Sequence, residues 1–180
     1  MQYVVRLCRS GQSPTAVPCG IEPWILRPTN EDDWDDWRVL RLEALAESPE
    51  AFSSTLSGWT GPGDTEQRWR ARLRDVPYNV LVLRHGRPVG MVSATACSEG
   101  VELISMWVHP NTRGLGAGDA LVGGVLTWAS DRGATLVHLA VRAANRHAVE
   151  LYERNGFEVV GPVGNPGDEL AEQRMERRLT

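Results

Sequence analysis

The sequence predicts a mixed α/β domain in which a single sheet carries helices on both faces. Segments with the spacing of amphipathic helices alternate along the chain with short apolar segments typical of strands. A length of 180 residues corresponds to about one domain, at roughly 150 residues per domain. The composition, with 42% hydrophobic and 23% charged residues, is that of an ordinary globular protein. Together these observations favour one layered α/β unit.

The N-terminal part of the chain predicts an arm, a strand and a helix. Residues 1–20 contain linker-like segments and are predicted to be an arm or extension. Residues 24–28 predict a short strand, and Thr29 or Asn30 can cap a helix that Pro49 ends. Along this helix one mostly apolar stripe recurs every three or four residues; it consists of Trp34, Trp37, Leu40, Arg41, Ala44 and Leu45.

The middle of the chain predicts a second helix and three strands. Thr65 can cap a short helix that runs to about Arg74. Three apolar segments separated by turns follow; they are Asn79–His85, Val89–Cys97 and Val101–Val108. We expect these strands to form an antiparallel meander.

The C-terminal part predicts a helix, a strand, a second helix and two further strands. The segments, in order, are residues 118–133, 135–141, 145–155, 157–161 and 174–179. The apolar strand 135–141 is predicted to be central, and the last strand is predicted to lie at an edge of the sheet. The whole order is β-α-α-β-β-β-α-β-α-β-β, within one domain over residues 21–180.

The charge and cysteine content exclude several classes of function. The net charge is −4, which disfavours general binding of nucleic acid. All 19 basic residues are arginine, which excludes a lysine nucleophile or Schiff base. The three cysteines form no CxxC pair, so we expect neither a zinc site nor a disulfide framework. Without an apolar run of about 18 residues or a secretory signal, the sequence predicts a cytoplasmic enzyme or binding protein with no membrane partner.

A glycine-rich segment between a strand and a helix predicts an anion site. Its sequence is Arg113-Gly114-Leu115-Gly116-Ala117-Gly118. The glycines allow close approach of the backbone to a ligand, and the helix start presents free N–H groups suited to a pyrophosphate. The alternative is a plain tight turn before a helix. The segment lacks the Gly-Lys-Ser/Thr of a Walker loop and does not fit the dinucleotide fingerprint.

A second motif lies about 30 residues further along the chain. Asn145-x-x-Ala148-x-x-Leu151-Tyr152-x-x-x-Gly156-Phe157 spans a strand-to-helix junction, and Tyr152 follows Asn145 by two helical turns on the same face. With Arg113-x-x-Gly116-x-Gly118, this pair of motifs resembles the bacterial type of the GNAT superfamily of acetyl-CoA-dependent N-acetyltransferases. The resemblance covers about residues 22–180, and the predicted element order agrees with that fold.

The resemblance implies a role for each of these segments. Coenzyme A would lie where the third meander strand separates from the next parallel strand at a bulge. The backbone of Met106, Trp107 and Val108 would bind the pantetheine arm, with the Val108 N–H polarising the thioester carbonyl. The pyrophosphate would be held by Arg113 at the rim and by the N–H groups of Gly114, Leu115, Gly116, Ala117, Gly118 and Asp119. Asn145 would reach the pantetheine, and Tyr152 would lie near the sulfur.

Two residues are predicted to transfer protons. Tyr152 is the candidate general acid that protonates the leaving thiolate; the alternative is a tyrosine packed over the sheet. Glu102 is the candidate base, because it matches the strand position at which histone-type members of the family keep a glutamate. We expect it to share a strand face with Ile104, Met106 and Val108. The alternatives are a solvated glutamate and an ordered water acting as the base.

The chain departs from the family pattern at two positions. Ala140 stands where N-terminal acetyltransferases of the ribosomal type keep a glutamate, which argues against that subclass. Asp119 follows the last glycine of the loop, where an acid would repel phosphate, so we expect its side chain to turn away.

The acceptor is predicted less specifically. In this family the first two helices and their loop line the acceptor pocket. Residues 31–50 contain eight acids and two arginines, and five of the seven tryptophans precede residue 70. Acids and aromatic rings suit a cationic amine, whereas the alternative is a solvated acidic face over core tryptophans. A small amine, a polyamine, an antibiotic amine and a peptide amine all remain open, and 49–52 (Pro-Glu-Ala-Phe) is similar to a segment of bacterial members with unassigned substrates.

The predicted function is transfer of an acetyl group from acetyl-CoA, as cosubstrate and without a metal, to a primary amine by direct attack in a ternary complex. The alternative is a non-catalytic acyl-CoA-binding module or sensor on the same fold, and a nucleotide-binding module ranks third. The resemblance also allows a homodimer.

Overall fold

The computed structural model describes residues 3–5, 24–163 and 172–180, which form eight strands and five α-helices. The strands are β1 (Tyr3–Val5), β2 (Trp24–Pro28), β3 (Tyr78–Arg84), β4 (Arg87–Cys97), β5 (Gly100–Val108), β6 (Leu136–Arg142), β7 (Glu158–Val163) and β8 (Glu172–Arg178). The helices are α1 (Trp34–Glu47), α2 (Leu56–Trp59), α3 (Glu66–Asp75), α4 (Ala117–Ser130) and α5 (Arg146–Arg154). The predicted order of elements is confirmed, and β1 and α2 are additions to it.

The helices begin where side-chain caps were expected. Asn30 accepts a hydrogen bond from the Asp32 N–H at 2.7 Å and precedes a 3-10 turn that leads into α1. Thr65 accepts one from the Arg68 N–H at 3.3 Å at the start of α3. Within the described ranges, no helix combines the length and apolar character needed to cross a lipid bilayer.

All eight strands belong to one sheet, in the order β1-β2-β3-β4-β5-β6-β8-β7. Every neighbouring pair is antiparallel except β5 and β6, which are parallel. The C-terminal strand β8 therefore lies between β6 and β7, so the prediction of a last edge strand is wrong. Its sequence is misleading because only Met175 is buried, whereas arginines such as Arg174 and Arg177 are matched by polar partners on neighbouring elements.

The start of the chain contributes one strand to this sheet. Residues 3–5 pair antiparallel with β2, so this part of the predicted arm joins the sheet edge. The linker-like segments of the arm lie outside the described residues.

Two apolar cores cover the two faces of the sheet. One contains α4 and α5 and includes Leu121, Val125 and Tyr152. The other contains α1 and α3 and includes Trp37 and Trp69. Strand β3 serves both cores with alternate side chains; Val80 and Val82 face the first, and Leu81 and Leu83 face the second. The predicted layering, with helices on both faces, is confirmed.

A β-bulge in β5 controls the geometry of the centre of the sheet. Met91 of β4 stands opposite Trp107, whereas Ser93 stands opposite Ile104, so β5 has one extra residue at this point. Ser105, within the bulge, has a positive φ of 55°. Strands β5 and β6 pair only at Val101–Val137 and Glu102–His138, and they diverge beyond these pairs.

The bulge also corrects the prediction for Glu102. Cross-strand neighbours share a face of the sheet, and Glu102 stands opposite Thr95 in a part of β4 that has no bulge. It therefore shares a face with Ile104 and Trp107, on the side of α1 and α3. Met106 and Val108 pack instead against the core of α4 and α5, because the extra residue reverses the alternation. The prediction that Glu102 shares a face with Met106 and Val108 is therefore wrong.

Replacing Gly100 by alanine should destabilise the protein by about 2 to 3 kcal/mol. Gly100 has φ +138°, and an added Cβ would lie 2.4 Å from the Leu136 carbonyl oxygen, next to the only paired part of β5 and β6. Gly123→Ala is the control, because nothing lies within 4 Å of its added Cβ and alanine should stabilise a helix interior by about 0.5–1 kcal/mol. Urea unfolding measures the free energy of unfolding of both variants. Equal values for the two would contradict the predicted clash at Gly100.

Candidate active site

The divergence of β5 and β6 opens a cleft of about 1640 Å³ through the middle of the molecule. One half of it is lined by the end of β5, the glycine segment and the start of α5. The other half is lined by side chains of α1 and α3 and of the loop that joins them. The two groups of residues that the sequence assigned to cofactor and acceptor thus lie on one continuous cavity.

The end of β5 offers backbone hydrogen-bonding groups to this cleft. The His109 N–H donates to the Val89 oxygen of β4 at 2.9 Å. Because successive N–H groups of a strand point to opposite sides, those of Met106 and Val108 point away from β4 into the gap. Trp107 lies two residues before His109 and stands opposite Met91. Its backbone N–H and C=O groups therefore point towards β4, like the N–H of His109. The expected contact of the Trp107 backbone with a ligand is therefore not supported.

The glycine segment is shaped by left-handed residues and by a tryptophan. Gly114 has φ +74°, and Gly116, the N-cap of α4, has φ +90°. The Trp24 indole N–H donates to the Leu115 carbonyl oxygen at 2.9 Å and fixes the segment to β2. At Gly118 an added Cβ would lie 3.0 Å from Leu151 Cδ2, so glycine allows α4 to approach α5 closely. The first N–H groups of α4 have no partner within the helix, which fits the expected anion site.

Asp119 turns its side chain away from the glycine segment, as expected. The Arg154 Nε donates to its Oδ1 at 2.7 Å, and the Asn155 Nδ2 donates to the same oxygen at 2.9 Å. Partial burial opposes ionisation, but the hydrogen bonds from Arg154 and Asn155 outweigh it and lower the pKa of Asp119. The carboxylate therefore carries a charge that Arg154 balances, and it joins α4 to α5.

Glu47, at the end of α1, connects the two halves of the cleft; the sequence analysis did not identify it. The Arg113 Nη2 donates to its Oε2 at 2.6 Å, and the Trp107 indole N–H donates to the same oxygen at 3.1 Å. The Arg113 Nε also donates to the Val108 oxygen at 2.9 Å. The Arg113 side chain, which the sequence placed at the rim of the anion site, is thus engaged by α1 and by the end of β5.

The contact with Arg113 lowers the pKa of Glu47. Hydrogen bonds from Arg113 and Ser48 lower the pKa of Glu47 to about 2. Its carboxylate is consequently ionised at any pH at which the protein is expected to work.

The start of α5 carries two of the predicted site residues. The Asn145 side-chain oxygen accepts a hydrogen bond from the Ala148 N–H at 3.2 Å and caps the helix, which leaves the amide nitrogen as the group that can reach a ligand. Tyr152 is buried against Phe157, with ring centroids 5.8 Å apart, and lines the cleft. No described residue makes a hydrogen bond with its hydroxyl group. Burial raises the pKa of Tyr152, so the phenol keeps its proton well above neutral pH.

Glu102 lines the same cleft from the opposite face of β5. It is half-buried and stands beside His138 of β6, at the last pair before the strands separate. Ala140, on β6, also lines the cleft, and it provides no side-chain base from that strand. Cys97 lies outside the cleft at the end of β4, exposed, with its Sγ 3.2 Å from the His138 Nε2.

The acids of residues 31–50 are largely used in ion pairs rather than in the cleft. Asp33 and Asp36 lie beside Arg27, Asp32 beside Arg70, and Glu31 beside Arg74. Of the eight acids only Glu47 and Glu50 line the cleft. Of the five tryptophans before residue 70, three are buried, namely Trp24, Trp37 and Trp69, and three line the cleft, namely Trp37, Trp59 and Trp69. This distribution favours the solvated acidic face over an acidic pocket for a cationic amine.

Two further cleft residues, Arg41 and Arg72, were missed as site residues. Arg41 belongs to the apolar stripe of α1 and is buried with it. A charged residue within an apolar helix stripe indicates a functional role, and this position of Arg41 could be seen in the sequence.

Comparisons with known proteins agree with this geometry. The acetyltransferase (GNAT) family matches residues 31–157. An uncharacterised N-acetyltransferase from Methanocaldococcus jannaschii is 30% identical over 149 residues, which cover 77% of this chain and 62% of the relative. A mycothiol acetyltransferase from Clavibacter sepedonicus is 30% identical over 151 residues, which cover 83% of this chain and 46% of the relative. The chain thus spans less than two thirds of the length of either relative.

The fold has solved counterparts. The PaiA N-acetyltransferase from Thermoplasma acidophilum, in complex with coenzyme A, aligns with a TM-score of 0.69 and 15% identity, over 87% of this chain and 99% of that chain.

Glu47→Gln should lower stability at neutral pH, and this loss should vanish in acid. The folded state holds the pKa of Glu47 at about 2, below the ordinary value of 4.5, so the carboxylate stabilises the fold above pH 4.5 and less as pH falls towards 2. The pair is partly exposed, at 36% for the Glu47 side chain, so we expect at most about 1 kcal/mol.

Urea unfolding at a series of pH values measures this difference between wild type and variant. Glu43→Gln is the control, in the same helix and without an ion pair among the described residues. A gap between wild type and Glu47→Gln that persists unchanged at pH 2 would contradict the assignment.

Proposed function

The chain belongs to the acetyltransferase (GNAT) family, and from this membership we propose that it transfers an acetyl group from acetyl-CoA to a primary amine by direct attack in a ternary complex. The observation that carries the proposal is the separation of β5 from β6 beside the glycine segment. It leaves unpaired backbone groups and a helix start along one cleft, which is the arrangement that a long pantetheine arm ending in a pyrophosphate needs. The related PaiA protein is described in complex with coenzyme A.

The proposed binding of acetyl-CoA uses mainly backbone groups. The N–H group of Met106 binds the pantetheine arm in the manner of an added strand, the Val108 N–H lies at its thioester end, and the Asn145 amide nitrogen donates to the arm. The N–H groups from Gly114 to Asp119 hold the pyrophosphate at the start of α4. Because Asp119 is balanced by Arg154, its charge is partly offset at this position.

The proposed chemistry needs one polarising group, one acid and one base. The Val108 N–H donates to the thioester oxygen, on which negative charge develops as the amine attacks. The new C–N bond forms, the C–S bond breaks, and Tyr152 gives its proton to the departing sulfur. Glu102, or a water that it orders, removes the proton from the attacking amine. Tyr152 suits the acid role because burial keeps its hydroxyl protonated.

Replacing Tyr152 by phenylalanine tests both binding and chemistry. Calorimetric titration should give acetyl-CoA affinity within a few-fold of wild type and much tighter than ADP, whereas release of free thiol with an amine panel should fall by about 10²- to 10⁴-fold. Tyr78→Phe is the control, because Tyr78 packs against Trp128 away from the cleft, and its turnover should not change.

Each other outcome identifies a different function. Binding of acetyl-CoA without thiol release from any amine by wild type would favour a binding module or sensor. Equal affinity for ADP and acetyl-CoA would favour a nucleotide site. Unchanged turnover in Tyr152→Phe would remove Tyr152 from the mechanism.

Glu102→Gln should shift the acid limb of the kcat/KM profile to higher pH, or abolish most of the rate, because the amine then loses its proton to solvent. Rates measured from pH 6 to 10 with a fixed amine provide the test, and Glu99→Gln, three residues earlier and paired with Arg174 outside the cleft, is the control. A profile identical to wild type would exclude Glu102 as the base.

A further inference from the structure

Arg41 of α1 is a buried cation without a compensating charge. Only 8% of the residue is exposed, and its Nη1 is fully enclosed without a hydrogen-bond partner. Its guanidinium lies over the Phe52 ring, 4.3 Å from the centroid. Burial and the nearby charge of Arg72 lower the pKa of Arg41 to about 10, so it remains protonated at neutral pH. Among the described residues it has no carboxylate partner.

Arg72 of α3 lies beside it in a neutral environment. Its guanidinium donates to the Asn79 Oδ1 at 3.2 Å, the Ser93 Oγ at 3.1 Å and the Ser105 Oγ at 3.2 Å. These contacts fix its position but neutralise no charge, and burial lowers its pKa to about 10. The bond to Ser105 ties the cation to the bulge of β5, on the face that also carries Glu102.

Arg41 differs in its burial from the other arginines of the described residues that form no ion pair, because Arg68 and Arg146 are exposed and Arg142 is half-buried. Other arginines are paired with acids. Each of the following has a carboxylate within 4 Å: Arg27, Arg38, Arg70, Arg74, Arg113 and Arg154. Glu50 and Glu102 also line the cleft, yet neither forms an ion pair with Arg41 or Arg72 in the described part of the chain. A buried charge without a partner is costly, and an anion that enters the cleft would remove that cost.

We propose that Arg41 and Arg72 form an anion subsite for the acceptor, so that the substrate is an amine that also carries a carboxylate or a phosphate group. This inference rests on the proposed function and names its substrate class. The guanidinium groups bind the anionic group on the α1 and α3 face of β5, and the amine of the same molecule lies towards Glu102. The acceptor is accordingly not a polyamine, although the acid-rich sequence of α1 suggests a cationic partner.

Matched pairs of amines test the subsite through turnover. Phenylalanine is compared with phenethylamine for the carboxylate, and phosphoethanolamine with ethanolamine for the phosphate, by release of free thiol from acetyl-CoA. We expect wild type to prefer the anionic member of at least one pair by tenfold or more in kcat/KM, and the pair that shows it identifies the anion. Arg41→Met should abolish the preference, and Arg41→Lys, which keeps the charge, should retain part of it.

Arg38→Met is the matched control. Arg38 lies three residues before Arg41 in the same helix but pairs with Asp64, so its loss should leave the preference unchanged. Equal rates for both members of each pair, or a preference for the uncharged members, would overturn the subsite while leaving acetyl transfer intact.

Thermal unfolding provides a readout that needs no turnover. Without ligand, Arg41→Met should raise the melting temperature by a few degrees, because it removes an unpaired buried charge, whereas Arg38→Met should lower it. Phosphate or acetate should stabilise wild type more than chloride at equal ionic strength, and this excess should be clearly smaller in Arg41→Met, which keeps only the anion site of the glycine segment.

The two readouts separate the two proposals. If no amine is acetylated but anion stabilisation depends on Arg41, the subsite stands and the proposed function fails. If anions stabilise wild type and Arg41→Met equally, and no amine pair shows a preference, the subsite is overturned.

Discussion

The structure depends on one extra residue in β5. The bulge at Ser105, with its positive φ of 55°, bends the strand away from β6 after only two paired positions. Without it the parallel pairing could continue along β5, and the N–H groups of Met106 and Val108 would be occupied by β6. A left-handed conformation is unfavourable for serine, and here the Arg72 guanidinium holds the Ser105 hydroxyl in place. The cleft therefore results from a local distortion that a helix on one face of the sheet supports.

The contacts around this distortion join parts of the chain that are distant in sequence. Glu47 ends α1 and binds Arg113, which in turn binds the Val108 carbonyl oxygen. Asp119 and Arg154 join α4 to α5, and the Trp24 indole holds the glycine segment to β2. Hydrogen bonds thus connect the end of α1 to the end of β5 and to the first residue of the glycine segment. These polar contacts join the two halves of the cleft.

Much of this arrangement could be predicted from the sequence because the signals are local. Helical spacing, the Asn30 and Thr65 caps and the glycine segment each involve a few neighbouring residues, and the element order follows from them. The place of β8 could not be predicted, because strand partners are chosen by long-range pairing and only Met175 carries an apolar signal. The predicted face of Glu102 was wrong because the extra residue of a bulge reverses the alternation of side chains along a strand, and the sequence of β5 does not show where this residue lies. The role of Glu47 depends on Arg113, a residue far away in the chain, whereas Arg41 was visible as a charge within an apolar stripe.

The exclusive use of arginine has a consequence for the chemical durability of the protein. The ion pairs described above all rely on guanidinium groups, and the chain contains no lysine side chain. Guanidinium groups stay protonated at neutral pH and are poor nucleophiles, whereas lysine amines react slowly and without catalysis with thioesters. Lysines in these positions would lose their positive charge wherever a thioester acetylated them. Arginine at each of these positions is not open to that loss of charge.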